Sequence, residues 1–556
     1  MRLLRTARLT VCLAAGALTL AAFQATPATE KSKADQDADK PSIEGKVINA
    51  TTGDPLKKVT LMLTKSSGGT PVSVETNDKG EFSFTALKPG RYMLLAQRNG
   101  FATQMYGARG NALSGTALLL SDGQHMKDLG FKLFPNSVIA GKVLDDDGEP
   151  MQNVTVMALS VMYSHGKRQF LPVSVAGQTN DMGEFRIGNL KAGKYTVAAT
   201  NLIGGAIASA GASNKPPTDK PEPAYATTYY PNATDPATVA PVDVGVGAEV
   251  RGIDIRMAKV DSYRVRGKIS DISQGKPLMV LLTPKGAGIT GMLTRRMGMV
   301  QPDGSFEIKG AAPGSYLLTA TSDGITTTGV ALPVDVKDQH IQGLSMAPAS
   351  TVELAGTLAV EKDDAAHPTK LKDIQVLLQP VDTFVIMPPK AQVGDDGRFS
   401  LKSVSPDHYT VRTTGAPDGY YMKSAKYGQQ EIGEDGLDLT NGAAGTVDVT
   451  LSPNGAEANG TVKGADGNPI PGVTVVLVPD SRRSSLFQNT TTDQNGGYEF
   501  KGVTPGEYKL LAWEDVEMGA YEDPEFLKKY EGKAESLSLK EKDRKTVPLK
   551  SIPAER

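Results

Sequence analysis

Apolar and polar residues alternate in short runs along most of this chain. Ser42 to Val47 alternates like a half-buried strand. A turn signal at Gly53-Asp54-Pro55 follows, then the apolar run Val59 to Leu63. Val72 to Thr76 reads as a third strand, closed by Asn77-Asp78-Lys79-Gly80. Glu81-Phe82-Ser83-Phe84 places both phenylalanines on one face of a strand. Pro89-Gly90 turns the chain, Tyr92 to Ala96 returns it, and Leu129 to Leu133 closes a set of about seven strands.

The same set recurs five times. A glycine turn precedes an aromatic residue, and a tyrosine follows that aromatic at ten positions: Phe82 and Tyr92, Phe185 and Tyr195, Phe306 and Tyr316, Phe399 and Tyr409, Tyr498 and Tyr508. The opening strands carry Gly45-Lys46-Val47, Gly141-Lys142-Val143, Gly267-Lys268-Ile269, Gly356-Thr357-Leu358 and Gly460-Thr461-Val462. Short alternating strands with regular turn signals predict an all-β tandem array of five seven-stranded, immunoglobulin-like β-sandwich domains. The expected units are 41–134, 135–258, 259–349, 350–453 and 454–556. Short junctions near Pro135, Val260, Ser350 and Asn454 predict end-to-end stacking into an elongated array.

Two stretches leave the pattern. Residues 203–223 are rich in Gly, Ala, Ser and Pro and read as a mobile loop of the second unit. In the last unit Asp523-Pro524-Glu525 supplies an N-cap, a proline at the first helical position and an acid in the first turn. One short helix is expected there, from Pro524 to about Tyr530.

The repeated residues read as scaffold. The turn glycines suit positive φ. The aromatics fill a small core. The corner tyrosine is expected to bury its ring and bond its hydroxyl to nearby backbone. Asp407-His408 replaces the glycine at the fourth corner, so that corner is expected to differ in shape.

The pattern of opening Gly-Lys-Val, central Asp-x-x-Gly-x-Phe and Pro-Gly-x-Tyr resembles the carboxypeptidase regulatory-like domain, a relative of transthyretin-like and carbohydrate-binding-like sandwiches. The resemblance extends from Pro41 onward and implies prealbumin-like sandwiches without catalysis. It also implies an exported bacterial protein of the cell envelope or exterior.

The N-terminus agrees with export. Arg2, Arg5 and Arg8 precede an apolar stretch from Leu9 to Phe23, and small residues allow cleavage after Ala28, giving a signal peptide over 1–28. An uncleaved anchor is the rival reading, although the stretch is short for a spanning helix. Residues 29–40 are polar and read as a disordered linker. The net charge of -2 offers nothing to draw nucleic acid. Cys12, the only cysteine, lies in the apolar stretch, so the processed chain would hold no disulfide or thiolate metal site. No transmembrane segment is expected after cleavage.

Candidate chemistry is sparse. His125, His165, His340, His367 and His408 show no metal-ligand spacing. No nucleophile elbow or phosphate loop is present, so no catalytic, cofactor or metal residue is assigned. Asp145-Asp146-Asp147-Gly148-Glu149 suits a calcium site or an ordinary hairpin turn, and the turn reading is preferred. Lys46, Lys142 and Lys268 could seed isopeptide bonds, but the closing strands lack a suitable asparagine. The candidate ligand site is Trp513, Tyr521, Phe526 and Tyr530 beside Glu514, Asp515 and Glu517, an aromatic-plus-acid group of the kind that holds glycans. The competing reading has the helix packing over Trp513. Tyr229-Tyr230 and Tyr420-Tyr421 are weaker versions of the same idea. The leading expectation is a non-enzymatic binding or spacer protein whose partner is an envelope protein or polysaccharide. Carbohydrate binding by the last unit is the alternative. An accessory role beside a peptidase or an outer-membrane transport system ranks third.

Overall fold

Gly45 faces Phe82 across an antiparallel strand pair, and this pairing recurs in every repeat. The computed structural model describes residues 40–66, 68–109, 115–164, 166–201, 220–270, 278–286, 290–291, 294–321, 327–346, 352–361, 370–381, 388–433, 436–440, 442–481 and 486–554. They form ten hydrogen-bonded sheets. The sheets pack around separate cores whose buried residues fall within 43–133, 139–257, 263–346, 354–451 and 456–549, here called modules one to five. The signal-peptide and linker expectations for residues 1–39 lie outside the described residues.

In module one the strand Ser42–Asn49 lies between Glu81–Phe84, antiparallel, and His125–Leu133, parallel. The facing sheet centres on Thr60–Lys65, flanked by Val72–Glu75 and Gly90–Gln97. Burial follows the alternation: Ile43, Val47, Phe82, Phe84, Leu61 and Leu63 face inward. Short strands such as Gln104–Met105 add to the basic seven.

The opening glycine has a steric reason that the sequence reading did not supply. A Cβ on Gly356 would lie 2.3 Å from Cζ of Phe399 and 2.3 Å from the carbonyl oxygen of Val447. A Cβ on Gly460 would lie 2.0 Å from the Val547 carbonyl oxygen and 2.9 Å from the Tyr498 ring. The missing side chain lets the closing strand approach and the signature ring lie across the opening strand.

The turn before each signature aromatic has its glycine at φ between 69° and 86°, at Gly80, Gly183, Gly304, Gly397 and Gly496. The corner tyrosines behave as expected. Each hydroxyl donates to the carbonyl four residues back: Tyr92 to Lys88 (2.7 Å), Tyr195 to Lys191 (2.8 Å), Tyr316 to Ala312 (2.8 Å), Tyr409 to Ser405 (2.7 Å) and Tyr508 to Thr504 (2.6 Å). The fourth corner therefore keeps this bond without its glycine. Asp407 Oδ1 accepts from the His408 N–H there.

Three expectations need correction. Residues 203–219 of the proposed loop lie outside the described residues, but Glu222–Tyr225 is a strand. It pairs antiparallel with the start of Lys259–Ile269 and so extends a sheet of module three. An ion pair between Arg264 and Glu222 and a bond from Ser262 Oγ to the Glu222 carbonyl (2.7 Å) hold it. The helix forms but is shorter than expected, over Pro524–Lys528, with the Asp523 side chain accepting from the Glu525 N–H.

The third correction concerns arrangement. The modules do not simply stack end to end, because module five touches both module one and module two. Gln494 bonds both backbone groups of Leu119, at 3.0 Å each. Tyr163 donates its N–H to the Met518 carbonyl at 2.7 Å. Backbone groups on the edge of one strand and at the end of another make these contacts, and apolar periodicity carries no trace of them.

Candidate functional site

The aromatic-and-acid group of module five is built by the end of one strand and the segment after it. In Gly506–Trp513 the side chains of Tyr508, Leu510 and Ala512 enter the main core, whereas Leu511 and Trp513 are buried on the opposite sheet face. The chain then runs through Glu514 to Gly519 and into the short helix. This segment folds back so that Trp513, Tyr521, Phe526 and Tyr530 meet. The Trp513 and Tyr530 rings are edge-to-face at 5.5 Å, and Phe526 lies 5.1 Å from Tyr530 and 6.1 Å from Trp513.

Sequence reading thus groups the correct residues, and the structure buries Trp513 as its preferred packing reading expected. Trp513 is 1% exposed, and Tyr521 and Tyr530 are also buried. With Val476, Val478, Leu511 and Ile552 they form a small second core, so Trp513 offers no flat face to a sugar ring. The competing expectation, a helix lying over Trp513, describes the packing. The buried indole N–H has no hydrogen-bond partner among the described residues, and the ring contributes through apolar contact.

The neighbouring acids face other modules. Glu514 accepts from Arg109 of module one (3.5 Å) and from the Ser551 hydroxyl (2.8 Å). Surrounding protein pushes the Asp515 carboxyl up, opposed by Arg109, although the side chain still meets solvent. Glu517 is also pushed up, first by desolvation, while Arg168 and Lys194 of module two act against the shift. A cavity of about 10 Å³, room for about one water, lies between Arg109, Thr491, Glu514 and Asp515.

The remaining candidates have structural roles. Asp145, Asp146 and Asp147 bring carboxylate oxygens within 4.8 Å of one another. Asp145 Oδ1 accepts from the N–H groups of Asp147 and Glu149, which defines a turn. Asp146 pairs with Lys259 (2.9 Å) and accepts from the Tyr225 hydroxyl (2.9 Å), and these bonds hold its carboxyl below the usual range. His125 bonds Ser42, His340 Nδ1 accepts from the Arg264 N–H, and His408 lies 3.6 Å from Asp438. His165 and His367 lie outside the described residues. Lys46, Lys142 and Lys268 are exposed, which removes the dry setting an isopeptide bond needs. Tyr229 is buried with its hydroxyl pushed up to about 12, and Tyr421 donates to Glu541 at 2.9 Å.

A groove of about 700 Å³ on module two is lined by Lys142, Glu184, Arg186, Glu249, Arg251 and Asp254. Most of its charges are already matched: Lys142 with Glu184 (3.5 Å) and Arg251 with Glu249 (2.9 Å). Sequence reading missed Thr76, Thr179 and Thr492. Each buries a hydroxyl that donates to a carbonyl and accepts from an N–H of the segment leading into the second strand of its module. Their position just before the Asn or Asp of the glycine turn is the signal that could have found them.

Residues 42–124 and 458–520 match the model of the carboxypeptidase regulatory-like domain. Modules one and five each match the carboxypeptidase regulatory-like domain. Both matches contain the glycine turn, the signature aromatic and the corner tyrosine described above. Colossin-A of Dictyostelium discoideum is 23% identical over 385 residues, which cover 65% of this chain and 3% of that protein's length. Among solved structures, the TIE protein of Bacillus anthracis is 14% identical, covering 68% of this chain and 64% of its own, at a TM-score of 0.13. The minor pilin GBS52 of Streptococcus agalactiae is 13% identical, with coverage of 39% and 96% and a TM-score of 0.21. Two B repeat units of the collagen-binding protein of Staphylococcus aureus are 13% identical, with coverage of 74% and 99% and a TM-score of 0.13. No helix among the described residues is long and apolar enough to cross a membrane.

Proposed function

We propose that this chain is an exported, non-enzymatic scaffold whose regulatory-like modules brace one another and present their loops to an envelope protein or polysaccharide. The observation that carries the reading is what the repeated residues do. The signature aromatics and corner tyrosines are directed into cores and onto backbone carbonyls. The aromatics of module five build its second core, and the acids beside them face modules one and two. Such residues hold a shape and leave chemistry to a partner. Export is supported by the charged, apolar and small-residue order at the N-terminus.

The test is affinity capture from intact envelope with the full chain, followed by identification of retained protein and polysaccharide. Retention of one defined envelope component supports the scaffold. A turnover that vanishes with a single side chain while the fold survives would refute it.

A further inference from the structure

Module five is separated from module one by three intervening modules, yet the two ends of the chain are joined through named contacts. Arg109 reaches Glu514 at 3.5 Å and the Pro471 carbonyl at 3.1 Å, and Arg91 donates to the Thr491 carbonyl at 3.3 Å. The strand Leu118–Leu120 lies beside Gly90–Gln97, and its outer edge is capped by Gln494. The amide oxygen accepts from the Leu119 N–H and the amide nitrogen donates to the Leu119 carbonyl. One side chain thereby replaces a neighbouring strand at that residue. The backbones are close: a Cβ on Gly472 would lie 2.5 Å from the Gly107 carbonyl oxygen and 2.9 Å from Thr116 Oγ1.

A second arm reaches module two. The strands Thr155–Ser164 and Lys167–Gln178 form a long hairpin, and its tip meets module five. Tyr163 donates to the Met518 carbonyl, and a Cβ on Gly519 would lie 2.1 Å from the Tyr163 carbonyl oxygen. Both arms meet the segment that follows Trp513. Its acids Glu514, Asp515 and Glu517 face Arg109 from module one and Arg168 and Lys194 from module two.

This interface is made largely of hydrogen bonds and partly exposed charges. Each such bond adds only about 0.5–1.5 kcal/mol net. The tether between the modules raises their effective concentration, so contacts of this kind suffice to keep the ends together. They also leave opening within thermal reach.

We propose that module five is a reversible latch: its acidic segment and Gln494 clasp modules one and two together, and release converts the closed body into an open chain of modules. Opening uncovers the backbone edge at Leu119, a residue 45% exposed. Because the clasp is charged, salt weakens it, the screening length falling to about 10 Å at 0.1 M and about 3 Å at 1 M. The inference goes beyond the scaffold reading and stands whether or not a partner is found.

The experiment is amide hydrogen exchange on the full chain with small-angle scattering in parallel, comparing wild type with Arg109→Ala/Gln494→Ala. In wild type at low salt the N–H groups of Leu119 and Tyr163 exchange slowly and the scattering fits a closed body. In the variant both amides lose protection by roughly tenfold or more and the radius of gyration rises. The amides of Leu94 and Val475, inside sheets of modules one and five, stay protected and show that both modules remain folded. Salt at 1 M moves wild type in the same direction. The latch is overturned if the Tyr163 amide keeps its protection when Leu119 loses it, because the two arms would then be independent. It is also overturned if wild type scatters as an extended array, or if salt and substitution leave both amides unchanged.

Discussion

The Phe399 ring lies across the opening strand of module four at Gly356, where a methyl group would meet ring Cζ at 2.3 Å. The two residues are register partners, so neither can move without disturbing the strand pair. Gly356→Ala should therefore destabilise module four by about 1–3 kcal/mol, the usual cost of overpacking a filled core. Denaturant unfolding followed by a probe in that module measures it. Retention of wild-type stability would mean that the ring has room to retreat.

The corner tyrosines allow a hydroxyl to be removed without changing the ring. Tyr409→Phe leaves the Ser405 carbonyl without this bond and should cost about 1–3 kcal/mol, because the corner is largely buried. Tyr498→Phe restores the phenylalanine of the other repeats but loses a bond to the Val547 carbonyl at 2.7 Å. A smaller cost, about 0.5–1.5 kcal/mol, is expected there. Equilibrium unfolding of the two variants against wild type gives the comparison.

Trp513 reports on the last module by its light. As the only tryptophan, enclosed by Tyr530, Phe526 and Tyr521, it should emit at short wavelength and resist quenching by iodide. Oligosaccharides should leave the spectrum unchanged. Trp513→Ala should destabilise module five by about 3–5 kcal/mol. An emission typical of water-exposed indole would contradict the packing.

Alkaline pH should unfold the modules through their tyrosines. Burial pushes the Tyr508 and Tyr229 hydroxyls up to about 12, whereas an unfolded tyrosine ionises near 10. The folded state holds the proton more tightly, so this contribution is complete below about pH 10 and disappears as pH rises through about 12. Ultraviolet titration of phenolate should show a late group of tyrosines whose ionisation coincides with loss of near-ultraviolet circular dichroism. Early ionisation of every tyrosine in a still-folded chain would contradict the burial.

What the sequence made legible was local. The ten-residue interval from Phe82 to Tyr92 spans one turn and two strands, so spacing and alternation alone disclose the element pair. The corner tyrosine's partner is four residues away, and its bond could be anticipated. The burial of Trp513 was legible only as one of two readings, because exposure depends on how the following segment folds back, and five helical residues barely constrain that path. The Arg109–Glu514 contact lies beyond any pattern: its partners are 405 residues apart, in loops without periodicity. The opening glycine was visible in every repeat, but its reason appears only when the closing strand is in place.

The strand Glu222–Tyr225 carries a practical consequence for anyone cutting this protein into pieces. A recombinant fragment that begins at residue 259 removes the backbone partner of Lys259 to Ser262 and frees Arg264 from Glu222. It would expose a raw sheet margin ready to stick to another molecule, and precipitation would be the expected result. A fragment that keeps modules two and three together retains this cover, because the strands between residues 228 and 256 complete module two, so the unit of expression is larger than the unit of repetition.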